Sequence, residues 1–141
     1  MTDAPGAVLE LQQLRLRYPG SERWTLDGLD LTLHAGETLA LVGSSGCGKS
    51  TVARAVMQLL PPGTLCEGRL SLTGDDPRTL DRRALRQLRG KAAGLVFQDP
   101  MTPMTPLRTV GGHWLDTLKA RRPEAGDPWR RERAKTLLER V

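Results

Sequence analysis

Cysteine, histidine and long apolar runs are scarce in this 141-residue chain. Its two cysteines, Cys47 and Cys66, form no Cys-x-x-Cys pair, and there are only two histidines, so we expect no structural metal centre. The longest apolar run, residues 92–97, has six residues, whereas a membrane-spanning helix needs about 20. The N-terminal segment shows neither the basic nor the apolar region of a signal peptide. We therefore expect a protein of the cytosol with reduced thiols.

The positive charge of the chain comes almost entirely from arginine. Lys and Arg number 21 against 16 Asp and Glu, and only four of the basic residues are lysine. With 38% hydrophobic residues, the composition is that of a globular domain and not of a disordered tail or a coiled coil. An arginine cluster consists of Arg82, Arg83, Arg86 and Arg89. It fits either a phosphate-binding face or a solvated helix face, and the lack of interleaved aromatic residues favours the solvated face, with no nucleic-acid partner.

Hydrophobic periodicity predicts a mixed α/β fold. Alternating leucines in residues 9–18 and again in residues 29–33 predict two antiparallel strands with one solvated face. The short apolar run Leu39–Val42 predicts a fully buried strand of a parallel core sheet. Helical spacing of apolar residues follows from Val52 to Leu60, where prolines end the helix.

The second half of the sequence alternates short strands with helices. Arg69–Thr73 predicts a strand, residues 81–89 a helix, and Gly94–Phe97 a second buried strand. After a proline-rich loop, apolar spacing from Val110 predicts another helix. A last helix begins near Asp127, and its apolar stripe continues to the final residue, so we expect a truncated chain.

The clearest chemical motif lies between the run 39–42 and the helix that follows it. The motif reads Gly43-Ser44-Ser45-Gly46-Cys47-Gly48-Lys49-Ser50 and fits the P-loop pattern G-x-x-x-x-G-K-S. Its glycines let backbone N–H groups turn inward around an anion, and the helix directs its positive dipole end to the same point. Lys49 adds a full positive charge, and the Ser50 hydroxyl is a suitable ligand for Mg²⁺. We interpret Cys47 as a bystander whose side chain is directed away from this cradle.

Several segments identify the class of P-loop protein. The chain contains no asparagine and therefore no Asn-Lys-x-Asp motif of the common GTPases. Gly94-Leu-Val-Phe-Gln-Asp-Pro-Met-Thr102 resembles the Q-loop of ABC-type ATPases. With residues 59–63, 85–90 and 106–110, it looks most like the ATP-binding subunits of the oligopeptide, dipeptide and nickel importer group. The resemblance extends from Leu9 to Val141.

The resemblance implies an ABC-type P-loop ATPase that binds ATP and Mg²⁺. It implies an N-terminal antiparallel β part, a partial parallel core sheet and the start of a helical subdomain, divided into residues 1–100 and 101–141. It also implies that Tyr18 stacks on adenine, with Trp24 as a competitor, and that Gln98 contacts Mg²⁺ and the attacking water. In an alternative reading, Asp99 is a Walker B ligand of Mg²⁺. The implied nucleotide-binding residues are Tyr18, Gly43, Ser44, Ser45, Gly46, Cys47, Gly48, Lys49, Ser50 and Thr51, with Ser50 and Gln98 as the metal ligands.

The family pattern is incomplete in this sequence. It contains no Leu-Ser-Gly-Gly-Gln signature, no Walker B Asp-Glu pair and no suitably placed switch histidine. We therefore expect an N-terminal fragment that binds ATP without hydrolysing it. In the complete subunit, hydrolysis would drive import of peptides or nickel at the cytoplasmic face of the membrane, with transmembrane subunits and a second, head-to-tail ATPase subunit as partners. The alternatives are an ABC-type ATPase of DNA repair or chromosomes, and a nucleotide-binding module without turnover.

Overall fold

The computed structural model describes residues 6–98 and 104–140 and divides the chain into two compact units, Met1–Leu85 and Arg86–Val141. The elements are β1 (Ala7–Arg17), β2 (Leu26–His34), α1 (Lys49–Val56), β3 (Leu65–Leu72), α2 (Arg82–Lys91), α3 (Val110–Arg121) and α4 (Asp127–Leu138). Within the described ranges, no helix is both long enough and apolar enough to cross a bilayer. The predicted functional boundary after residue 100 stays a prediction.

A three-stranded antiparallel sheet of order β2-β1-β3 organises the first unit. The central strand β1 contributes Leu11, Leu14 and Leu16 to the core, each at most 1% exposed. Leu70 of β3 is equally buried, and α1 adds Val52, Ala55 and Val56 to the buried residues of the unit. The predicted antiparallel β part and the mixed α/β class are thus confirmed.

A bulge in β1 explains why its buried leucines do not alternate strictly. Two glutamines separate Leu11 from Leu14, so both leucines can face the core only if one extra residue is accommodated. Gln13 adopts a left-handed φ of 48°, and its backbone and side-chain N–H groups both donate to the Asp30 carboxylate at 2.6 Å. On the β3 side of β1, Gly68 lies so close to the bulge that a Cβ added to it would be 2.3 Å from the Gln13 carbonyl oxygen.

The two predicted buried strands are wrong. Leu39–Val42 and Gly94–Phe97 are irregular, and Val42 and Val96 are 92% and 94% exposed. An apolar run becomes a parallel strand only where neighbouring strands pair with it and helices cover both faces. Among the residues that the structure describes, the only sheet is the antiparallel one, so neither run has such neighbours. The predicted parallel core sheet is therefore not formed here.

The second unit is built on the helices α3 and α4. Thr109 caps α3 by accepting a hydrogen bond from the Gly112 N–H at 3.1 Å. The last helix begins near Asp127 as predicted, with Gly126 as its N-cap and Asp127 in its first turn. Leu118 and Ala134 are buried, as is Arg130, whose guanidinium donates to the Asp127 carboxylate at 2.6 Å. The same guanidinium donates to the carbonyl oxygens of the α3–α4 connection at residues 122 and 123, so a charged side chain fixes this turn.

Candidate nucleotide-binding site

The glycine-rich loop reaches α1 through a backbone conformation that requires glycine. Gly48, the residue before α1, is buried and has a φ of 100°. An added Cβ there would lie 2.7 Å from Leu26 Cδ2 and 3.0 Å from the Thr25 carbonyl oxygen. Gly48 thus provides the left-handed turn into the helix and lets the loop pack against the start of β2.

Lys49 directs its ammonium group into the loop. Its Nζ donates to the carbonyl oxygens of Gly43 at 2.8 Å and Ser44 at 2.6 Å. The first turn of α1 has no acidic side chain, so the positive end of the helix dipole is not neutralised there. The loop therefore places a lysine and a helix N-terminus together, as the sequence predicted for an anion site.

Cys47 takes a different position from the predicted one. Its Sγ lies 3.6 Å from the Lys49 Nζ. An added Cβ at Gly43 would come within 2.6 Å of the same sulfur, so Gly43 is the residue that admits the thiol. Cys47 is thus a neighbour of the lysine inside the loop, and its description as a side chain directed away from the cradle is wrong.

Two hydroxyl residues follow Lys49 on α1 and have different surroundings. Ser50 is exposed, which leaves its hydroxyl open to a ligand. Thr51 is 7% exposed, and its Oγ1 lies 3.3 Å from the Tyr18 hydroxyl. The fold therefore brings Tyr18, 25 residues before Gly43, to the first turn of the helix that carries the lysine.

The turn that carries Tyr18 also contains its aromatic competitor. The Thr25 N–H donates to the Leu16 carbonyl oxygen at 2.7 Å and closes this turn at its base. The Trp24 ring has the guanidinium groups of Arg15 and Arg17 at 5.9 and 5.3 Å from its centroid. The Trp24 ring is thus already engaged in two cation–π contacts. The geometry thus favours Tyr18 over Trp24 as the aromatic residue of the site.

Gln98 belongs to the second unit. It lies in an exposed bend after the irregular stretch 94–97. Asp99, the alternative Walker B ligand, and the next residues of the predicted Q-loop lie outside the described residues. The site residues that the structure brings together are thus those of the first unit, namely Tyr18 and residues 43–51.

Sequence reasoning missed a second charged cluster, at the end of β3. The Arg78 guanidinium donates to the Asp76 carboxylate and to the carbonyl oxygens of Cys66 and Gly68. The hydrogen bond from Arg78 lowers the pKa of Asp76, and the carboxylate raises the pKa of Arg78. The sequence feature that could have indicated this cluster is the triplet Asp76-Pro77-Arg78. Its proline is fully buried. The cluster fastens a turn to β3 and is structural.

Comparison with known protein families decides which P-loop class this is. The model of the ABC transporter family matches residues 26–141. The chain belongs to the ABC transporter family. The glycine-rich loop with Lys49 lies within the matched region, and the predicted fold class is confirmed.

Several relatives of this chain within the family have names that refer to peptide transport. The chain is 39% identical over 120 residues to the probable D,D-dipeptide transport ATP-binding protein of Escherichia coli (strain K12), covering 82% of this chain and 37% of that protein. It is 38% identical over 136 residues to the oligopeptide transport ATP-binding protein of Mycobacterium bovis, covering 95% and 22%. With that of Bacillus subtilis, the identity is 37% over 115 residues, covering 79% and 32%. The chain thus spans between about a fifth and two fifths of the length of these curated relatives.

Proposed function

We propose that the chain is the ATP-binding part of an ABC importer subunit in which ATP hydrolysis drives the import of peptides. The observation that carries this proposal is the Lys49 ammonium held inside the glycine-rich loop at the start of α1, in a chain of the ABC transporter family. The relatives described above are named for peptide transport, which supports peptides over nickel as the substrate.

In the proposed site, Lys49 exchanges its loop contacts for phosphate oxygens. Each hydrogen bond of a charged donor to a neutral carbonyl contributes about 1.5–3 kcal/mol. A single phosphate charge at about 3 Å attracts the ammonium by about 5 kcal/mol at an effective dielectric of about 20, before desolvation. For a phosphate with a single charge, the energy lost with the two carbonyl hydrogen bonds and the energy gained from the phosphate are similar. A triphosphate carries several charges and therefore favours the exchange. Backbone N–H groups of residues 44–50 and the α1 dipole add to the attraction.

Mg²⁺ would be held by Ser50 and by phosphate oxygens, with Gln98 as a further proposed ligand. The exposed Ser50 hydroxyl beside Lys49 fits a cation that prefers oxygen ligands. The residues that the structure describes contain no group of three His, Cys, Asp or Glu side chains able to hold a metal ion. When bound, the ion would neutralise phosphate charge. Gln98 is also the proposed contact to the attacking water.

The partners and location of the complete subunit follow from the same proposal. Transmembrane subunits would dock on residues 98–118, and a second ATPase subunit would face the site head to tail. The subunit would then lie at the cytoplasmic face of the membrane. We assign nucleotide binding to residues 1–100 and the start of the helical subdomain to residues 101–141.

The decisive experiment measures Mg²⁺-ATP binding and phosphate release in the same samples. The chain and its Lys49→Ala variant are compared with Lys119→Ala, which removes an equal charge from an exposed position on α3. We expect Lys49→Ala to weaken binding at least tenfold, because the phosphates lose a full charge in the loop, and Lys119→Ala to change it less than twofold. Equal binding by all three forms would contradict the proposal. Release of phosphate would exclude the alternative that the chain is a nucleotide-binding module without turnover.

Adenine recognition by Tyr18 is tested by comparing ATP with inorganic tripolyphosphate. Base–aromatic stacking contributes about 1–3 kcal/mol, so Tyr18→Ala should weaken ATP binding about tenfold and leave tripolyphosphate binding unchanged. Trp24→Ala is the matched control, because the Trp24 ring already contacts two guanidinium groups. A larger loss of ATP affinity in Trp24→Ala than in Tyr18→Ala would reverse the assignment.

A further inference from the structure

The hydroxyl groups of Ser50 and Thr51 are neighbours in the chain but have different surroundings. Successive residues of an α-helix differ by about 100° in direction. Ser50 is exposed, whereas Thr51 is 7% exposed and its Oγ1 lies 3.3 Å from the Tyr18 hydroxyl. The Thr51 hydroxyl is therefore engaged with a side chain of the protein, and it is not presented to a ligand as the Ser50 hydroxyl is.

The backbone of Thr51 remains part of the phosphate loop. The Val52 N–H donates to the Gly48 carbonyl oxygen at 3.1 Å and begins the hydrogen-bonded ladder of α1. The Thr51 N–H precedes this bond and belongs to the donors that a helix N-terminus leaves without an acceptor in the helix. Thr51 can thus offer its N–H to a phosphate while its side chain contacts Tyr18.

A tight turn fixes the backbone of Tyr18. The Ser21 N–H donates to the Tyr18 carbonyl oxygen at 3.2 Å, and the central residues of the turn are Pro19 and Gly20. Gly20 has a φ of 76°, as a type II turn requires after proline. The residue before a proline is itself restricted to extended backbone. The turn therefore determines where Tyr18 leaves β1, but it does not determine the orientation of the ring.

The Thr51 hydroxyl restrains the other end of the Tyr18 side chain. The phenolic hydroxyl lies at the tip of the ring, so a hydrogen bond there limits the rotation that the turn leaves free. The ring is half-buried, and the accessible part of its surface can pack against a flat, aromatic ligand. The contact also joins the turn to α1, the helix that begins at Lys49. It therefore fixes the aromatic ring relative to the lysine.

We infer that Thr51 is a positioning residue for base recognition, because its hydroxyl holds the Tyr18 ring where a nucleotide base would stack. This role rests on the proposed function, since a base is recognised only if the loop binds a nucleotide. A hydrogen bond between neutral groups changes an equilibrium by about three- to tenfold. Loss of the Thr51 hydroxyl should therefore weaken the binding of ATP by that factor. Binding of tripolyphosphate, which has no base, should change less than about twofold.

The test compares Thr51→Val, which keeps the shape of the side chain without the hydroxyl, with Thr51→Ser, which retains the hydroxyl. Titration calorimetry measures the affinities for Mg²⁺-ATP and Mg²⁺-tripolyphosphate. We expect Thr51→Val to weaken ATP binding alone, and Thr51→Ser to restore it to within about twofold of the unchanged chain. Thr79→Val is the matched control, because the Thr79 hydroxyl donates to the Asp76 carbonyl oxygen at 2.9 Å in the same unit but outside the site.

Tyr18 is the only tyrosine of the chain, so its ring can be observed by itself. With isotopically labelled tyrosine, the NMR signals of the ring should shift in ligand-free Thr51→Val and stay in place in Thr51→Ser and Thr79→Val. Tyr18→Phe removes the partner hydroxyl and should weaken ATP binding as much as Thr51→Val does. The double variant should bind ATP no more weakly than either single variant, because both changes remove the same hydrogen bond.

Any of three results would overturn the role of Thr51. Equal weakening of ATP and tripolyphosphate binding by Thr51→Val would make its hydroxyl a phosphate contact. Additive losses in the double variant would show that the two hydroxyls act independently. Unshifted ring signals or an unchanged ATP affinity in Thr51→Val would show that the hydroxyl does not hold the ring for a base. If the unchanged chain bound neither ligand, the proposed function itself would fail, whereas these three results overturn the role of Thr51 alone.

Discussion

The two compact units differ in what holds them together and in their charge. Residues 1–85 contain nine Lys and Arg against ten Asp and Glu, whereas residues 86–141 contain twelve against six. The first unit has a buried leucine core under a sheet, and its loops depend on glycines in left-handed conformations. In the described part of the second unit, the buried residues are Leu118, Ala134 and Arg130.

This difference separates two ways of fixing a loop. A phosphate loop needs backbone N–H groups and a lysine at fixed positions, which a closely packed unit can provide. The second unit depends instead on a charged side chain, because the buried Arg130 guanidinium holds the α3–α4 connection. We therefore expect the first unit to be sensitive to single added atoms and the second to be sensitive to charge.

The largest effect is expected at Gly68, where β3 passes the bulge of β1. Its φ is 84°, and an added Cβ would lie 2.3 Å from the Gln13 carbonyl oxygen. Gly68→Ala should therefore lower the free energy of unfolding by about 2–4 kcal/mol, measured by urea denaturation. Gly74→Ala is the matched control, because Gly74 has a φ of 93° but open space around it. Its expected loss is about 1 kcal/mol, from backbone strain alone. Equal losses would show that packing at the bulge is unimportant.

A smaller effect is expected at Arg130, the buried charge of the second unit. Arg130→Met keeps the apolar stem but removes the donors to Asp127 and to the carbonyl oxygens at residues 122 and 123. Hydrogen bonds from a charged donor contribute about 1.5–3 kcal/mol each, so amide hydrogen exchange in α3 and α4 should become about tenfold faster. The control is Arg133→Met on the same helix, where the side chain is exposed. Faster exchange in that variant alone would contradict a structural role of Arg130.

The sequence predicted local features that depend on a few neighbouring residues. Gly48 and Lys49 lie at the start of α1 as the motif predicts, because the loop and the helix are adjacent in the chain and short-range geometry determines both. The antiparallel strands were predictable from alternation, yet the bulge at Gln13 depends on Asp30 and Gly68 in other strands. The run Leu39–Val42 was misassigned because an apolar run shows preference for burial but does not supply the neighbours that bury it. The contact between Tyr18 and Thr51 likewise joins residues 33 positions apart.

The smallest expected effect is the pH dependence from Asp76, an ion pair in the first unit. Its pKa is lowered in the folded chain by the hydrogen bond from Arg78. Its contribution is therefore complete above the unfolded pKa of about 3.9 and is lost as the pH falls through the lower folded value. Asp76→Asn should destabilise the chain slightly at pH 7 and reduce the loss of stability on acidification, measured by urea midpoints between pH 7 and pH 3.

Asp27→Asn is the control for this measurement, because the ion pair of Asp27 with Arg15 is more exposed and exposed pairs contribute little. If Asp27→Asn altered the acid dependence as much as Asp76→Asn, the general charge of the unit would be responsible. If only Asp76→Asn altered the acid dependence, a partly buried ion pair would stabilise the first unit as the charge of Arg130 stabilises the second. The two units would then differ in the amount of charge that they carry and not in how a partly buried charge stabilises them.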